Sequence, residues 1–342
     1  MGFHLADGVA YTHVRGDEYE DIAAAWDWNI IPGITTDYGA TPLICNNTKL
    51  LGLESFVGGV SDGKIGIAAM RYTNPVTKAL KWQKAWFFLD HGVQHVMVSN
   101  LSSTSGGGVP IYSVLDQRKA RGDVFVDGIP GDSGKHTYPS VGSLWHGDVG
   151  YTFGDGGGTR VTVDVGPKTG NWSAIGISTQ PPPTVDLFAA WIEHEAENGA
   201  FPAIAYSVFP GTDYGEFMAK SVKSKHQLKM LKNDGDVSAV YDGKEEVFMG
   251  VFWDAGGGSV VLETEGCAPV TVTVDGNAAV IYKLRTGEVT VADPGQSLGT
   301  VSVTVSVGEG YRPQRWTGRD QTLVFSLPGG GLAGSSVTLK ST

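Results

Sequence analysis

The sequence predicts an all-β protein: a large antiparallel multi-sheet β-sandwich followed by a small C-terminal β-sandwich domain. Three observations carry this. Apolar and polar residues alternate with period two, as in Thr159–Val165, where Val161, Val163 and Val165 share one face. The apolar runs are short and broken by turn residues, with 49 glycines among 342 residues; that is how stacked antiparallel sheets read. Glycine has no three-residue period and no fixed-period repeat stands out, so collagen, solenoids and propellers are set aside. A chain of this length buries a sizeable core without staples.

Taken in order, residues 15–31 hold a helical turn or two around DEYEDIAAAW, stopped by Pro32-Gly33. FVGGVSDGKIGIAAMRY reads as two strands about Ser61-Asp62-Gly63, and KWQKAWFFLDHGVQHVMVSNLSS as two more about Asp90-His91-Gly92. IYSVLDQR, DVFVDG, SLWHGDVGYTF and TRVTVDVG continue the rhythm, with loops at 102–110 and 153–160. After QPPPTVD come the strands LFAAWIEH and AIAYSVFPG. The basic run KSVKSKHQLKMLK, 220–232, reads as one solvated helix or strand edge. Shorter strands follow: SAVYDG, EVFMGVFW, SVVLETEG, PVTVTVDG, AAVIYKL, TVSVTVSV, TLVFSL and SVTLKS. This change of style places the boundary near residue 240, giving domains 1–240 and 241–342.

Composition excludes several classes. The net charge is −11 and no basic cluster forms a face, so nucleic acid is not an expected partner. No apolar run reaches membrane-spanning length, so no membrane partner is expected. Cys45 and Cys267 lie too far apart in sequence for a metal motif; free, buried thiols are expected. No basic region followed by an apolar stretch opens the chain, so no signal peptide is visible. Sequons stand at Asn46, Asn100 and Asn171.

Candidate chemistry is sparse. There is no G-x-S-x-G elbow, phosphate loop or dinucleotide fingerprint. His91 and His95 straddle a turn without a third ligand, so neither metal nor cofactor is expected. Glycoside chemistry needs two close carboxylates. Glu18, Glu20, Asp21 and Asp27 qualify by number, as do Glu193 and Glu195, but each reads better as a solvated or turn-capping acid. Arg15-Gly16-Asp17 spells an adhesion tripeptide by chance. Trp82, Trp86, Trp191 and Trp253 lie in apolar strands and are expected in the core. Trp26, Trp28, Trp145 and Trp172 stand beside Gly, Asn or Asp, as sugar platforms or as packing.

Several segments resemble one family. LADGVAYTHVRGDEYEDIAAAWDWNIIPGITT is similar to the start of the β region of polysaccharide lyase family 8, which holds hyaluronate, chondroitin, xanthan and some alginate lyases. FVGGVSDGKIGIAAM, KAWFFLD, LWHGDVGYTF, Gly170–Ile175 and AYSVFPG extend the resemblance over most of residues 3 to 255. It implies a galactose-mutarotase-like supersandwich with a small β domain after it. In the family, β-elimination beside a uronate uses a Tyr, with His, Asn and Arg neutralising the carboxylate. Those four lie in an N-terminal α/α toroid with no counterpart in this chain. The resemblance makes Glu18 the supporting carboxylate of the cleft, beside Tyr19.

The expectation is therefore a lectin-like, carbohydrate-binding protein whose partner is a glycan or polysaccharide. The candidate residues are Glu18, Tyr19, Trp26, Trp28, Asn29, Trp145 and Trp172, none of them catalytic. A fragment or subunit of a lyase cleaving uronate polysaccharide is the alternative, and a structural protein without a sugar site the second. The acidic surround favours a neutral or weakly charged glycan. A homo-oligomer would gain avidity. The family is typically secreted; the chain would be extracellular if processed and cytoplasmic if Met1 is the native start.

Overall fold

The computed structural model of the chain describes residues 2–106, 108–154, 158–263, 268–309 and 319–340. The strands are β1 (Thr35–Asp37), β2 (Val57–Ser61), β3 (Gly66–Thr73), β4 (Leu80–Phe88), β5 (Gln94–Ser103), β6 (Ile111–Lys119), β7 (Val124–Val126), β8 (Ile129–Pro130), β9 (Gly134–Val141), β10 (Ser143–His146), β11 (Val149–Phe153) and β12 (Thr159–Thr169). After the single turn α1 (Trp172–Ile175) come β13 (Thr184–His194), β14 (Ile204–Pro210) and the helix α2 (Tyr214–Gln227). The rest is β15 (Leu228–Asn233), β16 (Val237–Asp242), β17 (Val247–Phe252), β18 (Gly258–Leu262), β19 (Val270–Val274), β20 (Ala279–Lys283), β21 (Glu288–Ala292), β22 (Thr300–Val307), β23 (Asp320–Ser326) and β24 (Val337–Lys340).

These strands form four sheets. Their orders are β1-β6-β13-β12-β9, β2-β3-β4-β5-β14-β11-β10-β7-β8, β15-β16-β17-β20-β21-β24 and β18-β19-β22-β23. The long strands β12 and β13 pair antiparallel from Val161↔Ile192 to Thr169↔Thr184. The all-β, multi-sheet architecture is the one the alternating runs predict.

The chain divides into two compact units: Met1–Leu53, Tyr72–Trp82 and Leu101–Lys220 in one, Glu54–Arg71, Gln83–Asn100 and Ser221–Thr342 in the other. In the second unit, Val270, Val272 and Val274 of β19 meet Val301, Val303, Val305 and Val307 of β22 in one buried cluster. Alternate residues point inward there because a strand's side-chain period is two. In the first unit, Ile30, Ile31 and Ile34 pack with Val114, Ala189 and Trp191, so the loop before β1 is fastened to β6 and β13. Trp82, Trp86, Trp191 and Trp253 are all buried, as their apolar strands predict.

Gly33 aims that loop into β1. It sits at φ +85°, and an added Cβ would lie 2.3 Å from the Ala10 backbone nitrogen. Its own N–H donates to the Val114 carbonyl at 3.1 Å. A side chain here meets both backbone strain and a collision.

Three expectations need correction. Residues 15–31 contain no helix; they form separate turns closed by Glu20 N–H to Asp17 O, Ala25 N–H to Ile22 O and Ile30 N–H to Asp27 O. Asp21 lies at φ +57°, which a right-handed helix does not admit. The basic run 220–232 is shared between the end of α2 and the start of β15. Cys45 is free but exposed rather than buried, in an irregular segment with exposed Ile44, Leu50, Leu51 and Leu53. Cys267 and part of the 153–160 loop lie outside the described residues. The strands β1, β8, β9 and β21 and the turn α1 are not among the expected elements.

Candidate functional site: the aromatic loop before the first strand

Glu18 organises the loop from Val14 onward. Its carboxylate is 4% exposed and accepts the backbone N–H groups of Val14 at 2.9 Å, Arg15 at 2.5 Å and Gly16 at 2.9 Å. Burial alone would raise its pKa, but these donors hold it at about 2, against an ordinary 4.5. His13 lies beside it, Nδ1 3.6 Å from Oε2, with its side chain 57% exposed.

Tyr19 is held from the other side. Its hydroxyl donates to Asp116 at 3.0 Å and accepts from Arg118 at 3.2 Å. Burial first, then Asp116, raises its pKa far above the usual phenol value. Asp116 also receives the Arg118 guanidinium and, at 3.3 Å, the Tyr151 hydroxyl. Arg118 reaches back to the Thr12 carbonyl at 3.0 Å. Burial opposes its charge, yet Asp116 keeps the guanidinium protonated.

Around this anchor the rings gather. Tyr11 lies edge-on to Tyr19 at 4.8 Å and stacks with Trp26 at 6.2 Å; Trp26 meets Trp28 at 5.6 Å. His13 meets Tyr19 at 5.1 Å. Trp26 and Trp28 are half-buried and also pack against the isoleucine cluster. Trp28 donates its indole N–H to the Ala23 carbonyl at 2.9 Å. Asn29 donates to Asp27 through its amide side chain and backbone, both at 2.9 Å.

The structure thus brings Glu18, Tyr19, Trp26, Trp28 and Asn29 into one loop. Trp145 stands apart on β10, donating to the Thr212 carbonyl at 2.9 Å and packing with Phe125 and Tyr214. Trp172 opens α1, which Asn171 caps through its side chain at 2.9 Å. That turn is set against the loop by Gly170 and Asn171, whose N–H donates to the Ala24 carbonyl at 3.1 Å. Glu193 and Glu195 both face Arg160, at 2.9 and 3.3 Å.

Sequence reasoning missed Tyr11, His13 and the buried triplet Asp116-Gln117-Arg118, all three under 4% exposed. The signal was available: three adjacent polar residues ending the apolar strand IYSVL demand internal partners. Gln117 supplies the third anchor, accepting the Asp27 N–H at 2.9 Å and donating to the Asp27 and Ile30 carbonyls at 3.0 Å. Among the described residues no group of three His, Cys, Asp or Glu side chains forms a metal site, and no helix is long and apolar enough to cross a membrane.

A many-stranded antiparallel supersandwich carrying an aromatic, acid-anchored loop defines a β-region protein of the polysaccharide lyase kind. Residues 1–221 match the super-sandwich domain of polysaccharide lyase family 8 and residues 229–302 match its C-terminal beta-sandwich domain; the chain belongs to that family. It is similar to Chondroitinase-AC of Pedobacter heparinus, 29% identical over 99% of this chain and 46% of that protein. A chondroitinase AC lyase structure, solved with oligosaccharides, superposes with a TM-score of 0.84 at 26% identity, covering 98% of this chain and 47% of the other. A Paenibacillus xanthan lyase shares the fold, with a TM-score of 0.82 at 22% identity over 98% of this chain and 33% of its own. The chain spans about half the length of the curated relative it matches.

Proposed function

We propose that this chain binds a polysaccharide of low charge density, such as a uronate polymer without sulfate, on the Tyr11–Trp28 ring cluster, and does not itself cleave it. One observation carries the proposal: Glu18, Asp17 and Asp27, three of the loop's acids, are committed to holding it together. Glu18 is spent on three N–H groups, Asp17 on Arg121, and Asp27 on Tyr38 and Asn29. Arg15 faces Asp148 at 2.9 Å, and Arg118 is buried. Abstracting a proton beside a carboxylate needs an available base and cations for the developing enolate. The rings supply what binding needs, because sugar C–H faces pack on aromatic surfaces.

The experiment is incubation of the purified chain with hyaluronan, chondroitin, xanthan and glucuronan, following absorbance of the unsaturated uronate. No product is expected, together with binding lost in a Tyr11→Ala/Trp28→Ala variant. Product from the chain alone would sink the non-catalytic part. Silence across acidic and neutral glycans would remove the sugar site. A second reading, that the chain is one part of a complete lyase, draws on its 29% identity to Chondroitinase-AC along 99% of its length. His13, which keeps an accessible ring, is then the residue whose removal changes turnover.

A further inference from the structure

Among the described residues the four sheets end in eight edge strands. An edge strand leaves backbone N–H and C=O groups open to pairing with another chain, and proteins blunt such edges by shortness, Lys, Pro, bulges or a covering segment. Seven of the eight edges are blunted. β1, β8, β18 and β24 have at most five residues each. β9 carries Lys135 and Pro139. β15 carries Lys229 and Lys232, with a register shift between Met230 and Lys232. β2 gives N–H groups to segments outside its sheet, Val57 to the Pro294 carbonyl at 3.2 Å and Ser61 to the Ser336 hydroxyl at 2.9 Å.

β23 is the exception. It runs seven residues and pairs with β22 without a register shift, from Thr300↔Ser326 to Ser306↔Asp320. No strand lies on its far side among the described residues. It contains no Lys, Arg or Pro, and its single charge, Asp320, is its first residue. Thr322 and Val324 point outward, Val324 being 61% exposed. Leu323 and Phe325 turn inward to the valine cluster of the second unit.

The strand is also a match for itself. Turned end for end about Leu323, β23 meets a copy of itself antiparallel, the relation a two-fold interface requires. Thr322 then stands opposite the second copy's Val324, and Val324 opposite its Thr322. Such β-branched pairs stabilise a sheet. Asp320 meets Ser326, so no like charges oppose each other. Leu323 meets Leu323 on the core side, because directly opposite residues share a face.

We propose that β23 joins β23 of a second copy of this chain, antiparallel and centred on Leu323. Two four-stranded sheets then become one continuous sheet in a two-fold dimer. A single strand pair buries less than a standard interface, so the dimer is weak, with Kd on the order of 100 μM. Any site on the chain is doubled in the dimer, which raises avidity for a polymer.

The test is sedimentation velocity of the intact chain from about 5 to 500 μM, a range that brackets this Kd. Salt at about 0.15 M screens the charge of −11, and reductant keeps exposed Cys45 from linking copies. A monomer–dimer equilibrium is expected. Thr322→Lys/Val324→Lys changes two exposed positions and sets lysine opposite lysine twice, weakening dimerisation about tenfold or more. Thr322→Lys/Val324→Glu sets lysine opposite glutamate twice and keeps the dimer. Deuterium exchange at the β23 amides slows with rising concentration in the unaltered chain and in the Lys/Glu variant, but not in the Lys/Lys variant. A chain monomeric throughout the range, a dimer indifferent to both variants, or one weakened equally by both overturns the proposal.

Discussion

At the scale of the residue, Glu18 carries the clearest consequence. Its pKa in the fold is about 2, below the ordinary 4.5. A lowered carboxyl pKa adds stability that is complete above the unfolded value and is lost as pH falls through the folded one. The window thus runs from about pH 4.5 down to 2, and the contribution is on the order of 3 kcal/mol. Glu18→Gln should lower the unfolding midpoint in urea at pH 7 and flatten the loss of stability between those limits; an unchanged acid limb would count against it. Arg118 sets a second test. Arg118→Met leaves the buried Asp116 carboxylate without its cation, at a cost of roughly 3–5 kcal/mol. Adding Asp116→Asn should restore part of it, read from the same urea curves. The sequence made Glu18 legible as a supporting carboxylate through its family motif. What it supports here is backbone N–H groups two to four residues earlier, a relation that depends on local turn geometry.

At the scale of the element, most strands were legible and the loop was not. Period-two runs such as TVSVTVSV leave one arrangement that buries valine on a single face, and β22 adopts it. DEYEDIAAAW has helical composition, yet its N–H groups close separate short turns, Glu20 to Asp17 and Ala25 to Ile22, and the N–H groups just before it are taken by the Glu18 side chain. Composition does not record that competition. The GNWS segment shows the same limit. Gly170 is needed for approach: a Cβ there would lie 2.0 Å from the Ala24 carbonyl oxygen, whereas at Gly176 the nearest atom is 4.0 Å away. Gly170→Ala should therefore cost about 1–3 kcal/mol by pushing α1 off the loop. Gly176→Ala should change the melting temperature little. Equal effects would mean that the approach of α1 to Ala24 is unimportant.

At the scale of the whole molecule, charge decides how a polymer arrives. The chain carries −11. A basic site loses polyanions as salt rises, but here the field of the protein opposes an anionic polymer and salt relieves the opposition. Raising ionic strength from about 0.01 M to 0.15 M shortens the screening length from roughly 30 Å to 8 Å. Association with hyaluronan should therefore quicken over that range in stopped-flow fluorescence. Slowing instead would point to a basic patch that the described residues do not display. The family and architecture were legible because strings spread along the chain keep their order. The open edge at β23 was not, because the order of strands within a sheet is not written in any one run.

The clasp around Glu18 also bears on how the surface ages. Arg15 extends a largely exposed side chain, an apparent invitation to trypsin. Its peptide nitrogen and those on either side of it are gripped by one buried carboxylate, so the backbone cannot straighten into a protease cleft. Deuterium should enter these three amides slowly for so open a loop, and nicking after Arg15 should wait until the clasp lets go.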